Sequence, residues 1–166
     1  MLKNIPENQD NMAVKFYSPV IFVEEIERSK KFYSEILNEK IEHDFGTNVM
    51  FESRLSLWKI KPEYEVAAIE GSSKAGNTFE LYFETEDIFE SASWIKSNNI
   101  PLLHDIKTEP WGQMTIRLFD PDHHLVEVGE SFTRFITRIY EETGSEKETS
   151  ERTGVHEDII RKIIGK

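Results

Sequence analysis

The alternating stretch Thr78-Phe79-Glu80-Leu81-Tyr82-Phe83-Glu84 decides the fold, because it restarts an order of elements that the chain has already completed once. Apolar residues at every second position, with aromatic neighbours, predict a strand here. A helix with one apolar side is predicted next, over Asp87–Asn98. Three more strands then complete a β-α-β-β-β unit, and they are predicted near Leu102–Ile106, Gln113–Phe119 and Leu125–Val128.

The first half of the chain has the same order. A strand over Lys15–Val23 precedes an amphipathic helix over Glu27–Leu37. The three strands after this helix are predicted at Lys40–Phe45, Asn48–Glu52 and Leu55–Ile60. Such an internal repeat indicates two copies of one structural unit. The sequence therefore predicts an α+β fold with two βαβββ modules, at about residues 14–61 and 78–130.

Three segments lie outside the two modules. Residues 1–13 are polar and are predicted to form a flexible arm, and residues 62–77 contain Gly-Ser-Ser-Lys-Ala-Gly, which is typical of a linker. Residues 131–166 are predicted to form a C-terminal helical extension. It has two apolar stripes at helical spacing, Phe132/Phe135/Ile136/Ile139 and Ile159/Ile160/Ile163/Ile164.

Composition excludes several classes of function. The chain has 166 residues, a formal net charge of −11 and no cysteine. Disulfides, thiolate metal sites and thiol nucleophiles are therefore ruled out. The acidic balance argues against nucleic acid as the main partner, because nucleic-acid binding depends on concentrated Lys and Arg. No apolar run suits a membrane span or a signal peptide, so a cytoplasmic location is expected.

Strand alternation assigns one sheet face to the helices and leaves the other free. Glu80, Tyr82 and Glu84 should lie on the helix-free face, and Glu127 should join them from the last strand. In the first module this face should present Ser18, Val20, Phe22 and Trp58. Aromatic rings mixed with a few acids and small polar groups are typical of a binding site. Glu80 and Glu127 are therefore predicted to point into one shared cavity.

Two segments resemble a known superfamily. They are Val20–Tyr33, at the start of the first module, and the closing segment from Trp111-Gly112-Gln113 through Arg117 to Asp120–Glu127. Together they resemble the vicinal oxygen chelate superfamily, which comprises glyoxalases, bleomycin resistance proteins and extradiol dioxygenases. The resemblance covers about residues 15–130 and implies two modules joined edge to edge into a cupped mixed sheet, often within a dimer. With the tail included, the chain looks like an uncharacterised bacterial branch that carries C-terminal helices.

The resemblance also implies a position for a divalent metal. In metal-dependent members four strands supply the ligands, and the matching positions here are Ser18, about Trp58, Glu80 and Glu127. Two carboxylates are kept, whereas Ser and Trp are poor donors for Zn, Ni, Mn or Fe. A metal, if the protein binds one, is therefore expected on Glu80, Glu127 and a third donor such as His104 or water.

Other roles for these residues stay open. Glu80 and Glu127 are candidate catalytic carboxylates, since a carboxylate with a raised pKa can act as a general base. They could instead form an inherited pair that binds only water or Arg117. His104 could be an acid–base group or a strand-end histidine. The candidate ligand-binding residues are Trp58, Tyr82, Trp111, Gln113 and Arg117, with core packing as the alternative for the two tryptophans.

The sequence and the resemblance together favour a small-molecule-binding protein, and whether it is an enzyme is left open. If it is catalytic, the resemblance implies a metal-dependent lyase, isomerase or dioxygenase. The alternative is a metal-free protein that sequesters a drug or metabolite. A DNA-binding regulator that uses the C-terminal helices is a third possibility, disfavoured by charge. The protein is expected to form a homodimer.

Overall fold

The structure, a computed structural model, describes residues 16–59 and 80–165. The predicted N-terminal arm, residues 1–13, and the predicted linker, residues 62–77, lie outside the described residues. The predicted βαβββ modules can be followed over almost their whole length.

The first module contains four strands and one irregular helix. The elements are β1 (Val20–Val23), α1 (Ile26–Lys31), a π-helical turn (Phe32–Ile36), β2 (Ile41–Asp44), β3 (Asn48–Phe51) and β4 (Ser56–Lys59). The strand order is β1-β4-β3-β2, with β1 parallel to β4 and the other pairs antiparallel. The single predicted helix is thus an α-helix that widens into a π-helical turn, where Leu37 N donates to Phe32 O.

The second module repeats this arrangement. Its elements are β5 (Leu81–Thr85), α2 (Ile88–Ser97), β6 (Leu102–Thr108), β7 (Met114–Phe119) and β8 (Leu125–Glu130). The order is β5-β8-β7-β6, again with the first strand parallel to the last. Asp87 caps α2, because its carboxylate accepts from Phe89 N and Glu90 N. The predicted α+β fold of two βαβββ units is confirmed, and the hydrogen bonds divide its strands into two four-stranded sheets.

Alternation along the strands fixes which side chains enter the core. Ile21 and Val23 of β1 are buried, as are Val126 and Val128 of β8. All four belong to one apolar cluster that contains residues of both modules. The burial of apolar area in a shared core is the main force that holds the modules together. Alternation predicts Tyr17, Pro19, Ile21 and Val23 on the helix side of the first strand. Ile21 and Val23 confirm it, whereas Tyr17 and Pro19 precede β1 and are exposed.

The turn between β7 and β8 forms a polar connection between the modules. Asp120 accepts a 2.9 Å hydrogen bond from Tyr33 Oη in the π-helical turn. Asp122 Oδ1 accepts from Arg28 Nη2 at 2.8 Å, and its Oδ2 accepts from Ser29 Oγ at 2.6 Å. The segment Asp120–His124 is a turn, as predicted, and it also fixes the helix of the first module against the second.

Three helices follow the second sheet: α3 (Phe132–Thr143), α4 (Glu146–Thr153) and α5 (Glu157–Ile164). Ser131 and Ser145 cap α3 and α4, and Gly144 and Gly154 end them in the left-handed conformation. A separate apolar cluster joins α3 to α5 through Phe135, Ile136, Ile139 and Ile160. The predicted C-terminal helices are confirmed, and α4 lies between the helices that carry the two apolar stripes. Among the described residues, no helix combines the length and hydrophobicity needed to cross a bilayer.

Candidate functional site

The helix-free face of the second sheet gathers the predicted acidic residues. Glu127 of β8 lies between Tyr82 of β5 and Arg117 of β7 in the strand register. His104 of β6 is paired with Arg117 on its other side. Glu80 directly precedes β5. Because residues paired across neighbouring strands point to the same face, all five side chains meet on one surface.

Arg117 is the centre of this group. Its Nε donates to Glu80 Oε2 at 3.0 Å, and its Nη1 donates to Glu109 Oε1 at 2.6 Å. Its Nη2 forms a close ion pair with Glu127 Oε2. Arg117 and these three glutamates, together with His104, are called the arginine cluster below. Only 17% of the Arg117 side chain and 5% of the Glu127 side chain are exposed.

His104 contacts the cluster through its ring. Its Nε2 lies 3.3 Å from Arg117 Nη1, and its Nδ1 lies 2.8 Å from the Asp105 carbonyl oxygen. These two contacts fit the tautomer in which Nδ1–H donates to the carbonyl and Nε2 accepts from the guanidinium. His104 therefore acts as a further acceptor for Arg117.

The cluster changes the pKa values of its members in different directions. Burial raises the pKa of Glu127, and the nearby Glu80 and Glu109 charges add to this effect, although Arg117 opposes it. Burial also opposes ionisation of Glu109, but hydrogen bonds from Arg117 and Thr115 outweigh it and lower the Glu109 pKa. For Arg117, the hydrogen bonds to Glu80 and Glu109 outweigh the effect of burial and raise the pKa. The arginine is thus held in its charged form, and Glu127 is the carboxyl that burial drives towards protonation.

Beside the arginine cluster lies a second group, here called the aromatic shelf: Tyr82, Trp111 and Gln113. Trp111 Nε1 donates to Gln113 Oε1 at 3.1 Å, and Gln113 Nε2 donates to Tyr82 Oη at 2.9 Å. The exposed fractions of Tyr82 and Trp111 are 46% and 43%. Gly129 leaves room for this arrangement, because a Cβ there would lie 3.1 Å from both Gln113 Nε2 and Tyr82 Oη. The shelf is therefore an ordered pair of half-exposed rings fixed by one amide.

Helix α3 supports the loop that carries the shelf. Gly112 has a φ of +100°, and a Cβ at this position would lie 3.4 Å from Phe135 Cε2. Arg138 of α3 donates to the Gly112 carbonyl oxygen at 2.7 Å and to both carboxylate oxygens of Glu130. Glu130 in turn accepts from Met114 N at 2.8 Å. The C-terminal extension thus fixes the chain between Glu109 and Met114 in place.

The structure brings together most of the candidate site residues that were predicted from the sequence. Glu80, Glu127, His104 and Arg117 meet in the arginine cluster, and Tyr82, Trp111 and Gln113 form the shelf. Trp58 lies on the first sheet, where its ring is 6.0 Å from that of Phe22. Ser18, at the other matching position in the first module, hydrogen-bonds to Ser56 Oγ at 2.9 Å.

Glu109 is a member of the cluster that the sequence did not single out. The stretch Glu109-Pro110-Trp111-Gly112-Gln113 is part of the likeness to the uncharacterised bacterial branch, and this is the signal in the sequence that points to Glu109. Its side chain is 5% exposed and accepts from Thr115 Oγ1 at 3.0 Å as well as from Arg117. Because Glu109 lies at a strand end, alternation alone could not assign it to this face.

The residues present do not fit a divalent metal ion as they are arranged. Glu80 and Glu127 both direct a carboxylate oxygen at the Arg117 guanidinium, and His104 directs Nε2 at it. Within residues 16–59 and 80–165, no group of three or more His, Asp or Glu side chains is disposed to hold a metal ion. The metal expected on Glu80, Glu127 and His104 therefore remains a prediction that this geometry does not favour.

Comparisons with solved structures agree with the fold. A protein of unknown function from Agrobacterium tumefaciens str. C58 is 34% identical; the match covers 74% of this chain and 98% of that chain, with a TM-score of 0.63. Lactoylglutathione lyase from Agrobacterium tumefaciens is 20% identical, with 70% and 93% covered and a TM-score of 0.56. A member of the glyoxalase/bleomycin resistance protein/dioxygenase superfamily from Sphaerobacter thermophilus DSM 20745 is 19% identical, with 73% and 100% covered and a TM-score of 0.54. The last two matches show the fold alone.

The family itself is shown by sequence. No curated protein matches this chain. The family model for the glyoxalase-like domain matches residues 16–133, which include both βαβββ modules and stop at the start of α3. The chain therefore belongs to the glyoxalase-like domain family.

Proposed function

We propose that this protein binds a small molecule on the helix-free face of its second sheet, with the aromatic shelf as the contact surface. The observation that carries the proposal is the locked pair of half-exposed rings, Tyr82 and Trp111, bridged by Gln113. An isolated exposed aromatic residue needs no explanation, but two rings fixed in place by a shared amide are preorganised for contact.

The surroundings of the shelf define the chemistry it offers. The rings supply a flat apolar surface, on which planar groups can stack and over which cations are attracted. Glu84 Oε1 lies 3.3 Å from Tyr82 Oη, and Glu80 is 36% exposed at its side chain. Carboxylates beside the rings offer hydrogen-bond acceptors to the polar part of a ligand. An aromatic compound with donor groups is the class that best matches this surface.

Binding without catalysis is favoured over metal-dependent chemistry. A lyase, isomerase or dioxygenase of the kind implied by the resemblance would use Glu80 or Glu127 as metal ligand or base. Both carboxylates are instead paired with Arg117, so neither is left free to bind a metal or to face a substrate. We therefore place the protein with the metal-free binders of drugs or metabolites.

The DNA-binding alternative gains no support from the tail. Arg138, Arg152 and Arg161 are all paired with carboxylates, among them Glu130, Glu142 and Glu146. Phosphate binding requires basic groups that are available to the backbone of the nucleic acid. The homodimer and the cytoplasmic location stay predictions.

Saturation-transfer-difference NMR with a library of neutral and cationic aromatic fragments tests the proposed function. Fragments that bind the wild type should lose their signal in Tyr82→Ala and Trp111→Ala. Trp94→Ala is the matched control, because Trp94 is 50% exposed on α2 and lies outside the shelf. Signals that persist in both shelf variants, or a library without any binder, would contradict the proposal.

A further inference from the structure

The surroundings of Arg117 are those of a bound cation. Around its guanidinium lie carboxylate oxygens of Glu80, Glu109 and Glu127 and the Nε2 atom of His104. All four are groups that also bind divalent transition metals, in carboxylate and imidazole combinations that suit Zn, Mn or Fe. The cluster thus has the donors of a metal site, but a side chain of the protein is at its centre.

Each nitrogen of the guanidinium is engaged. Nε and Nη1 donate to Glu80 and Glu109, Nη1 also lies against His104, and Nη2 lies against Glu127. The positions of these acceptors follow from the strand register, in which Arg117 is paired with Glu127 on one side and with His104 on the other. The arginine is therefore held by the sheet from both sides.

A divalent ion held by Glu80 and Glu127 would have to lie next to this guanidinium. Like charges at contact distance repel strongly, and more so in a partly buried site where solvent screens them less. Arginine stays charged at any pH at which the protein is folded, so it cannot become neutral by losing a proton. Metal and arginine therefore compete for one position.

We propose that Arg117 is the resident cation of the helix-free face and takes the place of a metal, so that the Glu80–Glu127 pair binds no divalent ion while Arg117 is present. Removal of the guanidinium leaves three carboxylates and one imidazole without their shared cation. As arranged around Arg117 they do not form a metal site, so a divalent ion has to draw them together to bind. This inference does not depend on which small molecule the aromatic shelf binds, so the two can fail separately.

Cobalt(II) absorption spectroscopy on the full-length, tag-free protein tests the inference, because Co²⁺ bound to carboxylate and imidazole gives visible d–d bands without any substrate. The wild type should show no bands that depend on Glu127. Arg117→Ala and Arg117→Gln should each gain a Co²⁺ site at least about tenfold tighter than any in the wild type. Adding Glu127→Gln to either variant should remove that site.

Arg54→Ala removes an arginine that pairs with Glu42 on the first module and should leave Co²⁺ binding as in the wild type. Near-UV circular dichroism identifies which Arg117 variant is folded, and one folded variant is sufficient. The inference is overturned if the wild type binds Co²⁺ in a manner that Glu127→Gln abolishes, or if a folded Arg117 variant gains no site.

Discussion

Tyr33 Oη donates a 2.9 Å hydrogen bond to Asp120 Oδ2, and this buried pair joins the helix of the first module to the β7–β8 turn of the second. The Asp120 carboxylate also accepts from His124 N at 2.7 Å and from Asp122 N at 2.9 Å. Burial raises the pKa of Tyr33 and the negative charge of Asp120 adds to this effect, so the phenol remains a donor. One of the contacts between the modules is therefore a hydrogen bond to a buried carboxylate.

Tyr33→Phe should destabilise the protein by about 1–3 kcal/mol, because it removes one donor from a buried carboxylate that keeps its other partners. The free energy of unfolding from urea titration measures the effect. Tyr17→Phe is the matched control, because Tyr17 is exposed and its Oη accepts a hydrogen bond from Arg54 Nη1. Removal of this hydroxyl should change the free energy of unfolding by less than about 0.5 kcal/mol. Equal effects of the two substitutions would show that the Tyr33–Asp120 bond does not stabilise the module contact.

His124 should make stability depend on pH. Burial lowers its pKa, but the hydrogen bond and charge of Asp120 outweigh burial and raise it above the ordinary value. A raised folded-state pKa means that the charged histidine stabilises the fold below the unfolded pKa of about 6.5, and this contribution is lost as the pH rises through the folded pKa.

In the wild type, the free energy of unfolding should therefore fall as the pH rises from about 6.5 through the folded pKa of His124. His124→Asn should flatten this part of the curve. His123→Asn is the control, because His123 is exposed and has a φ of 65°, a conformation that asparagine tolerates. The same slope in the wild type and in His124→Asn would refute the assignment.

Arg138→Ala should loosen the loop that carries the aromatic shelf. The substitution removes the donor to the Gly112 carbonyl oxygen and leaves the buried Glu130 carboxylate without its guanidinium. The expected cost is about 1–3 kcal/mol, with faster hydrogen exchange at the amides of Gly112 and Met114.

Hydrogen exchange monitored by NMR measures the loop directly. Arg134→Ala, an exposed position on the same helix, should leave both amides as protected as in the wild type. If Arg138→Ala destabilised the whole chain without a local change at these amides, the role of α3 would be general packing.

Gly129→Ala should disturb the shelf more than the fold. The added Cβ would lie 3.1 Å from Gln113 Nε2 and from Tyr82 Oη, so these side chains have to shift by a few tenths of an ångström. Both belong to partly exposed residues that can yield, so the expected loss of stability is about 1 kcal/mol. Their hydrogen bond should lengthen, and fragment binding should weaken about tenfold. Unchanged affinity for a fragment that Tyr82→Ala abolishes would contradict this prediction.

Sequence alone determined the two modules and the faces of their strands. The period of two in Phe79–Glu84 and in Leu125–Val128 assigned Tyr82 and Glu127 to one face and Val126 to the core, because neighbouring side chains in a strand point to opposite sides. The restart of the β-α-β-β-β order was visible without any contact information. For the same reason the apolar stripe at Phe135 and Ile139 indicated a helix, since local periodicity reflects local geometry.

Only the tertiary structure decided what the two glutamates do. Sequence spacing does not specify that β8 lies between β5 and β7, and it is this order that brings Glu80, Glu127 and Arg117 to one point. Glu109 contacts Arg117 from just beyond the end of a strand, where alternation does not predict the direction of a side chain. Helix α3 fixes the loop that follows Glu109 through the hydrogen bond from Arg138 to the Gly112 carbonyl oxygen. The residues of a possible metal site could be read from the chain. That a guanidinium is at their centre depends on strand order and on long-range packing, neither of which local sequence specifies.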